Sequence, residues 1–116
     1  KLHLLKYDSI HGKANFDLNI ISNDLIEVNG HEIALIKERD IEKINWAKYD
    51  IDLVMECTGS FNKKTAAFKH IDQGAKKVII SAPATDIDMT VVQGVNNHQL
   101  SKKHNIISTH FFIICI

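Results

Sequence analysis

Residues 52–86 read DLVMECTGSFNKKTAAFKHIDQGAKKVIISAPATD, and the reading of this stretch decides the fold. It opens on the mostly apolar run Leu53-Val54-Met55-Glu56-Cys57, which ends in Thr58-Gly59-Ser60. The periodicity then changes. From about Asn62 to Gln73 the residues Ala67, Phe68 and Ile71 fall on one helical face, Asn62 is placed as an N-cap, and Gly74 supplies the stop. Lys76 and Lys77 lead into a second apolar run, Val78-Ile79-Ile80, which ends in Ser81-Ala82-Pro83-Ala84. Strand, helix and strand at this spacing predict a βαβ unit with parallel strands. The runs do not alternate, so a sheet covered on both faces is expected, with Cys57 as a small core residue.

Working outward, Thr90 to Val92 is another short apolar stretch, and Asn105-Ile106-Ile107 is a third run, ending in Ser108-Thr109. The first third reads as an antiparallel meander. Phe16 to Ile21 partly alternates, Asn23-Asp24 make a turn, Leu25 to Val28 follow, and Asn29-Gly30 is a two-residue hairpin signal. His31 to Glu38 then alternates, with Ile33, Leu35 and Lys37 on one face. The fold class is therefore α/β, a parallel sheet with an antiparallel hairpin insert. In open sheets of this kind ligands sit beyond the carboxyl ends of the strands. Three such ends, Thr58-Gly59-Ser60, Ser81-Ala82 and Ser108-Thr109, carry small and hydroxyl-bearing residues, which suit either a ligand crevice or three ordinary turns.

Composition excludes several alternatives. Lys+Arg and Asp+Glu each count 14, so the formal net charge is zero and a nucleic-acid partner is not expected. No run approaches the length of a membrane-spanning helix, so no membrane partner is expected, nor is a secretory leader. Two cysteines, Cys57 and Cys115, make no disulfide framework, which leaves a reducing, cytoplasmic setting as the default. Seven histidines form no helical pair and accompany no paired cysteines, so no metal site is expected and they read as scattered surface residues. Among five glycines no two are spaced G-x-G, so the usual dinucleotide fingerprint is absent.

Six collinear stretches then carry a specific resemblance. KYDSIHG (Lys6 to Gly12), IKERD (Ile36 to Asp40), DLVMECTGSF (Asp52 to Phe61), GAKKVIISAPATD (Gly74 to Asp86), VVQGVN (Val91 to Asn96) and IIS (Ile106 to Ser108) resemble phosphorylating glyceraldehyde-3-phosphate dehydrogenase. The resemblance implies a partial doubly wound (Rossmann-type) domain over residues 1–108, with NAD as the family's cofactor and nucleotide partner, bound weakly or not at all by this chain. It also implies a glycolytic reaction in which a cysteine thiolate attacks the aldehyde, hydride passes to NAD, and phosphate releases the acyl group. Erythrose-4-phosphate dehydrogenase is a close relative of the family; Ala82 in SAPA leans toward the glyceraldehyde enzyme. By the same resemblance, Arg39 lines the adenosine side of the cofactor site, Thr58 and Gly59 form a turn against the cofactor, Phe61 stands near the adenine, and Ser81 and Ala82 reach toward the nicotinamide half. Each has a plainer reading: a solvated arginine for Arg39, helix-entry packing for Phe61, strand-to-helix turns for the others. Glu38 and Asp40 flank Arg39 and position it, and KYDSIHG, with His11, reads as structural.

The resemblance also has limits. The family pattern includes a first βαβ unit with the Gly-rich pyrophosphate turn, and a catalytic domain, neither matched here. Starting at Lys1 rather than Met, the sequence is expected to be an internal piece of a longer one. The strand ending at Arg39 is expected to stand apart from those ending at Cys57, Ser81 and Ser108. After Ser108 the match fails. The nucleophile position falls on Phe112, Cys115 lies three positions late, and residues 109–116 read as a divergent apolar tail, as after a frame change or truncation. No catalytic residue is therefore expected, and a non-catalytic nucleotide-binding or interaction module is the alternative. The family is homotetrameric; this chain is expected to self-associate or aggregate, because Phe111 to Ile116 combines β-propensity with no charge and no proline. Deleting those six residues should raise the soluble fraction on expression, and an unchanged or lower soluble yield would contradict this.

Overall fold

The structure, a computed structural model, describes residues 6–8, 12–13 and 15–109. His11 and the tail residues 110–116, including Phe112 and Cys115, lie outside the described residues. The chain divides into two compact units, residues 1–37 and 38–116.

The first unit is antiparallel. Strands β1 (Tyr7–Asp8) and β2 (Gly12–Lys13) form a short ladder. Strands β3 (Leu18–Ser22), β4 (Leu25–Val28) and β5 (His31–Ala34) form a meander in that order. Asn29 (φ 50°) and Gly30 (φ 81°) connect β4 to β5, with Val28 paired to His31. Two consecutive left-handed residues give the loop the twist of the flanking strands, as the Asn-Gly pair predicted. The third strand stops sooner than its alternation suggests. Past Ala34 the Leu35 amide still reaches the Asp24 carbonyl, but residues 35–40 form no strand. The stretch ending at Arg39, expected as a strand, is therefore not one.

The second unit holds β6 (Leu53–Glu56), α1 (Lys64–Asp72), β7 (Lys77–Ile80), β8 (Met89–Val91) and β9 (Ile106–Thr109), with short 3-10 turns at Ile41–Lys43, Trp46–Tyr49 and Asn97–Gln99. The four strands form one parallel sheet in the order β6-β7-β9-β8. Val54, Ala67, Ala75, Val78, Ile80 and Ile106 make its core, between the sheet and α1.

Three details depart from expectation. First, β6 is covered on one face only. Val54 and Glu56 are buried while Leu53 and Met55 are exposed, because α1 packs on one side and no described element covers the other. Cys57 follows the end of β6 and is exposed, so it is not a core residue. Second, α1 begins at Lys64, and Asn62 does not cap it. The Lys64 amide donates to the Thr85 carbonyl, and the Thr85 amide donates to the Asn62 carbonyl. An isolated bridge between Lys63 and Thr85 has taken over what a capping side chain would do. Third, the buried face of α1 is Ala67 with His70, and Phe68 is exposed. His70 is therefore not a surface histidine.

Asp88 ties this unit together. Its Oδ1 accepts from Lys64 Nζ (2.6 Å), at the start of α1. Its Oδ2 accepts from the amides of Asn105 (2.8 Å) and Ile106 (3.0 Å), at the start of β9.

Candidate functional site

The carboxyl ends of β6, β7 and β9 stand side by side, as the parallel register requires. The Ser81 amide donates to the Glu56 carbonyl (2.9 Å), joining the ends of β6 and β7. Ser108 pairs with Ile80 in the ladder but is fully buried, and its hydroxyl donates to Thr90 Oγ1 (3.1 Å). Of the three hydroxyl-bearing strand ends, Ser108 thus serves the interior, while Thr58 and Ser60 face a cavity.

That cavity is about 570 Å³ and lies beside β6. Arg39 borders it from the segment before the first 3-10 turn, Ile41 and Ile44 from that turn, and Trp46 from the second. Cys57, Thr58, Ser60 and Phe61 complete the wall after β6. The backbone at Arg39 is set by its acidic neighbours. Glu38 Oε1 accepts from the amides of Arg39 (2.8 Å) and Asp40 (2.9 Å), and Asp40 Oδ1 accepts from the Glu42 amide (3.1 Å) to cap the turn. The turn after β6 is set by Glu56, whose Oε1 accepts from both the amide (2.7 Å) and the hydroxyl of Thr58. Burial pushes the Glu56 carboxyl up. The Thr58 hydroxyl and amide, with His70, outweigh that and hold it below its ordinary value.

Of the six residues singled out from the sequence, the cavity brings together Arg39, Thr58 and Phe61. Gly59 belongs to the same turn with φ 75°, but does not line the cavity. Ser81 and Ala82 stand after β7; Ala82 packs against the core and Ser81 is exposed. Three residues that the sequence did not single out are central: Glu56, His70 and Trp46. Glu56 and His70 are each 4% exposed and 3.1 Å apart, and Trp46 Nε1 donates to His70 Nδ1 (3.1 Å). A readable signal existed for Glu56, which shares the inward side of β6 with Val54 at i, i+2. His70 likewise stands three residues from Ala67 on the buried side of α1.

An α/β unit with a parallel sheet and a cavity beyond the end of one strand is the arrangement of nucleotide-binding domains. Comparison with known proteins identifies which. The family described as "Glyceraldehyde 3-phosphate dehydrogenase, NAD binding domain" matches residues 1–64, and the chain belongs to this family. Similar proteins include glyceraldehyde-3-phosphate dehydrogenase 1 of Bacillus cereus and glyceraldehyde-3-phosphate dehydrogenase of Geobacillus stearothermophilus, each 49% identical over 107 residues. Glyceraldehyde-3-phosphate dehydrogenase 1 of Bacillus subtilis is 47% identical over the same length. In each case the match covers 91% of this chain and 32% of the relative, so the chain spans about a third of the relatives' length.

NAD is the cofactor named for the family's domain. The cavity's walls combine apolar side chains from Ile41, Ile44 and Phe61 with the charged Arg39, while both donors of Thr58 are taken up by Glu56. The pyrophosphate has no cradle among the described residues. The amino end of α1, the usual kind of anion site, is closed by the Lys64-to-Thr85 hydrogen bond and the Lys63–Thr85 bridge. Among the described residues no group of three or more His, Cys, Asp or Glu side chains could hold a metal ion, and no helix is long and apolar enough to cross a membrane.

Proposed function

We propose that the chain is a partial NAD-binding domain over residues 1–108, followed by an apolar tail at 109–116. In this reading it keeps the adenosine end of the nucleotide site and performs no catalysis. The parent reaction is the NAD-dependent oxidative phosphorylation of glyceraldehyde 3-phosphate, a glycolytic step. When bound there, NAD supplies the hydride acceptor. This chain's own contribution is to bind and orient the adenosine portion through Arg39, Thr58, Gly59 and Phe61, with Ser81 and Ala82 directed toward the remainder. No side chain takes the nucleophile's role, because its position falls on Phe112. The observation that supports the reading most is the convergence of Arg39, Thr58 and Phe61 on one cavity.

The test uses the chain's one tryptophan, Trp46, which lines the same cavity. Adenosine monophosphate should change its fluorescence in a saturable way at millimolar concentration. Arg39→Ala should weaken that response about 3- to 10-fold, as loss of one exposed charged hydrogen bond would. An unsaturable response, or one indifferent to Arg39, would sink the reading.

A second reading, a non-catalytic interaction module, rests on the β6 edge. Among the described residues no strand pairs with its outer side, and Leu53 and Met55 are exposed beside it. Sedimentation would separate the two: a concentration-independent monomer that still binds nucleotide supports the first reading and not the second.

A further inference from the structure

The hydrogen bonds around His70 run in one direction. Trp46 Nε1–H can only donate, so His70 Nδ1 must accept it. The imidazole proton then sits on Nε2, which points at Glu56 Oε2. Glu56 takes the donation there and turns its other oxygen to the Thr58 amide and hydroxyl. Thr58 Oγ1 in turn accepts from the Ser60 amide (3.2 Å). Phe61 meets the His70 ring edge-on, with centroids 6.0 Å apart. No buried side-chain polar atom among the described residues lacks a partner, so the chain of bonds is closed.

We propose that His70, oriented by Trp46, is a positioning residue that acts through Glu56 to fix the Thr58-Gly59-Ser60 turn at the edge of the nucleotide cavity. The consequence for ligand affinity rests on the nucleotide reading above; the control of the turn does not. A buried carboxylate with one oxygen left without a donor would turn or take up water, and the Thr58 amide it holds, with the Ser60 amide held through Thr58 Oγ1, would be released. The link is directional. Trp46 fixes which nitrogen of His70 carries the proton, the proton fixes Glu56, and Glu56 fixes the turn.

Two substitutions separate the nitrogens. An asparagine amide reaches about as far as Nδ1, and a glutamine amide about as far as Nε2. His70→Asn therefore keeps a partner for Trp46 but leaves Glu56 Oε2 without a donor, while His70→Gln keeps the donor to Oε2. Hydrogen exchange on the intact chain, read by mass spectrometry, would follow residues 57–61 with residues 105–109 as control. In His70→Asn, exchange at 57–61 should rise about 10-fold or more with the control unchanged, and in His70→Gln it should stay within about 3-fold of wild type. Equal exchange in the two variants, or no rise in His70→Asn, overturns the proposal. Should the control segment also lose protection, ¹⁵N resonances of wild-type His70 decide. A protonated Nε2 beside an accepting Nδ1 supports the proposal, and the reverse tautomer overturns it. Adenosine monophosphate titrations of the same variants separate this inference from the nucleotide reading. If wild type gives no saturable response while exchange behaves as expected, the nucleotide reading fails and the positioning of the turn stands.

Discussion

Gly74→Ala should destabilise the chain by about 3 kcal/mol, seen as a lower urea midpoint at unchanged slope. Two costs add at this position. Gly74 has φ 100°, a backbone region that side chains disfavour, so alanine costs about 1 kcal/mol before any contact is made. The second cost is steric. An added Cβ would stand 2.6 Å from the Ala47 Cβ and 2.7 Å from the Ala47 nitrogen. That neighbour is not free to retreat, because the Ala47 amide is bonded to the Gln73 carbonyl (3.1 Å). The stop of α1 and the turn that carries Trp46 are thus pressed together, and only glycine fits between them. Gly30 provides the control: its φ is 81°, but nothing lies within 4 Å of an added Cβ. Gly30→Ala should cost only the conformational part, about 1 kcal/mol. Equal losses for the two substitutions would contradict the packing account.

Asp88→Ala should cost about 2 kcal/mol at neutral pH and should remove part of the chain's sensitivity to acid. The Lys64 hydrogen bond, first, and the Ile106 and Asn105 amides hold the Asp88 carboxyl at about 2, below its ordinary value of 3.8, against the opposing effect of burial. A group bound more tightly as its anion stabilises the fold fully above its ordinary value. That contribution falls away as pH drops from about 4 toward 2. Discounted for solvent at the half-exposed Lys64 end, it is worth about 1–2 kcal/mol. Glu56, also held below its ordinary value, acts with the same sign. Denaturation midpoints of wild type and Asp88→Ala measured across that range should converge as pH falls. Parallel curves would mean that Asp88 is not part of the acid response.

Much of the architecture was legible in the sequence, for local reasons. Asn29-Gly30 dictates a two-residue hairpin wherever it occurs between extended segments, and it forms one here. The apolar runs at 53–57 and 78–80 and the helical spacing between them specified a parallel βαβ unit. What the runs did not specify was which side would be covered. Leu53 and Met55 look as buried in sequence as Val54, and only the one-sided packing of α1 distinguishes them. Cys57, just past the end of β6, is exposed although its apolar run reads as core. The helix start moved from Asn62 because Thr85, more than 20 residues away, supplied the capping carbonyl. At the site, periodicity gave no reason to bring Arg39 near Thr58; that came from the family resemblance. The Trp46–His70–Glu56 bonds are not legible in the sequence, because a histidine on a mixed helix face looks solvated until its partners on other elements are known.

The most direct test of the account is titration calorimetry of the intact chain with NAD and with adenosine monophosphate. On the proposed reading, in which the cavity takes adenosine and the described residues hold no pyrophosphate cradle, both ligands should bind weakly and alike, with dissociation constants of about 0.1–1 mM, and both should weaken in Arg39→Ala. Low-micromolar binding of NAD, well beyond that of adenosine monophosphate, would contradict it.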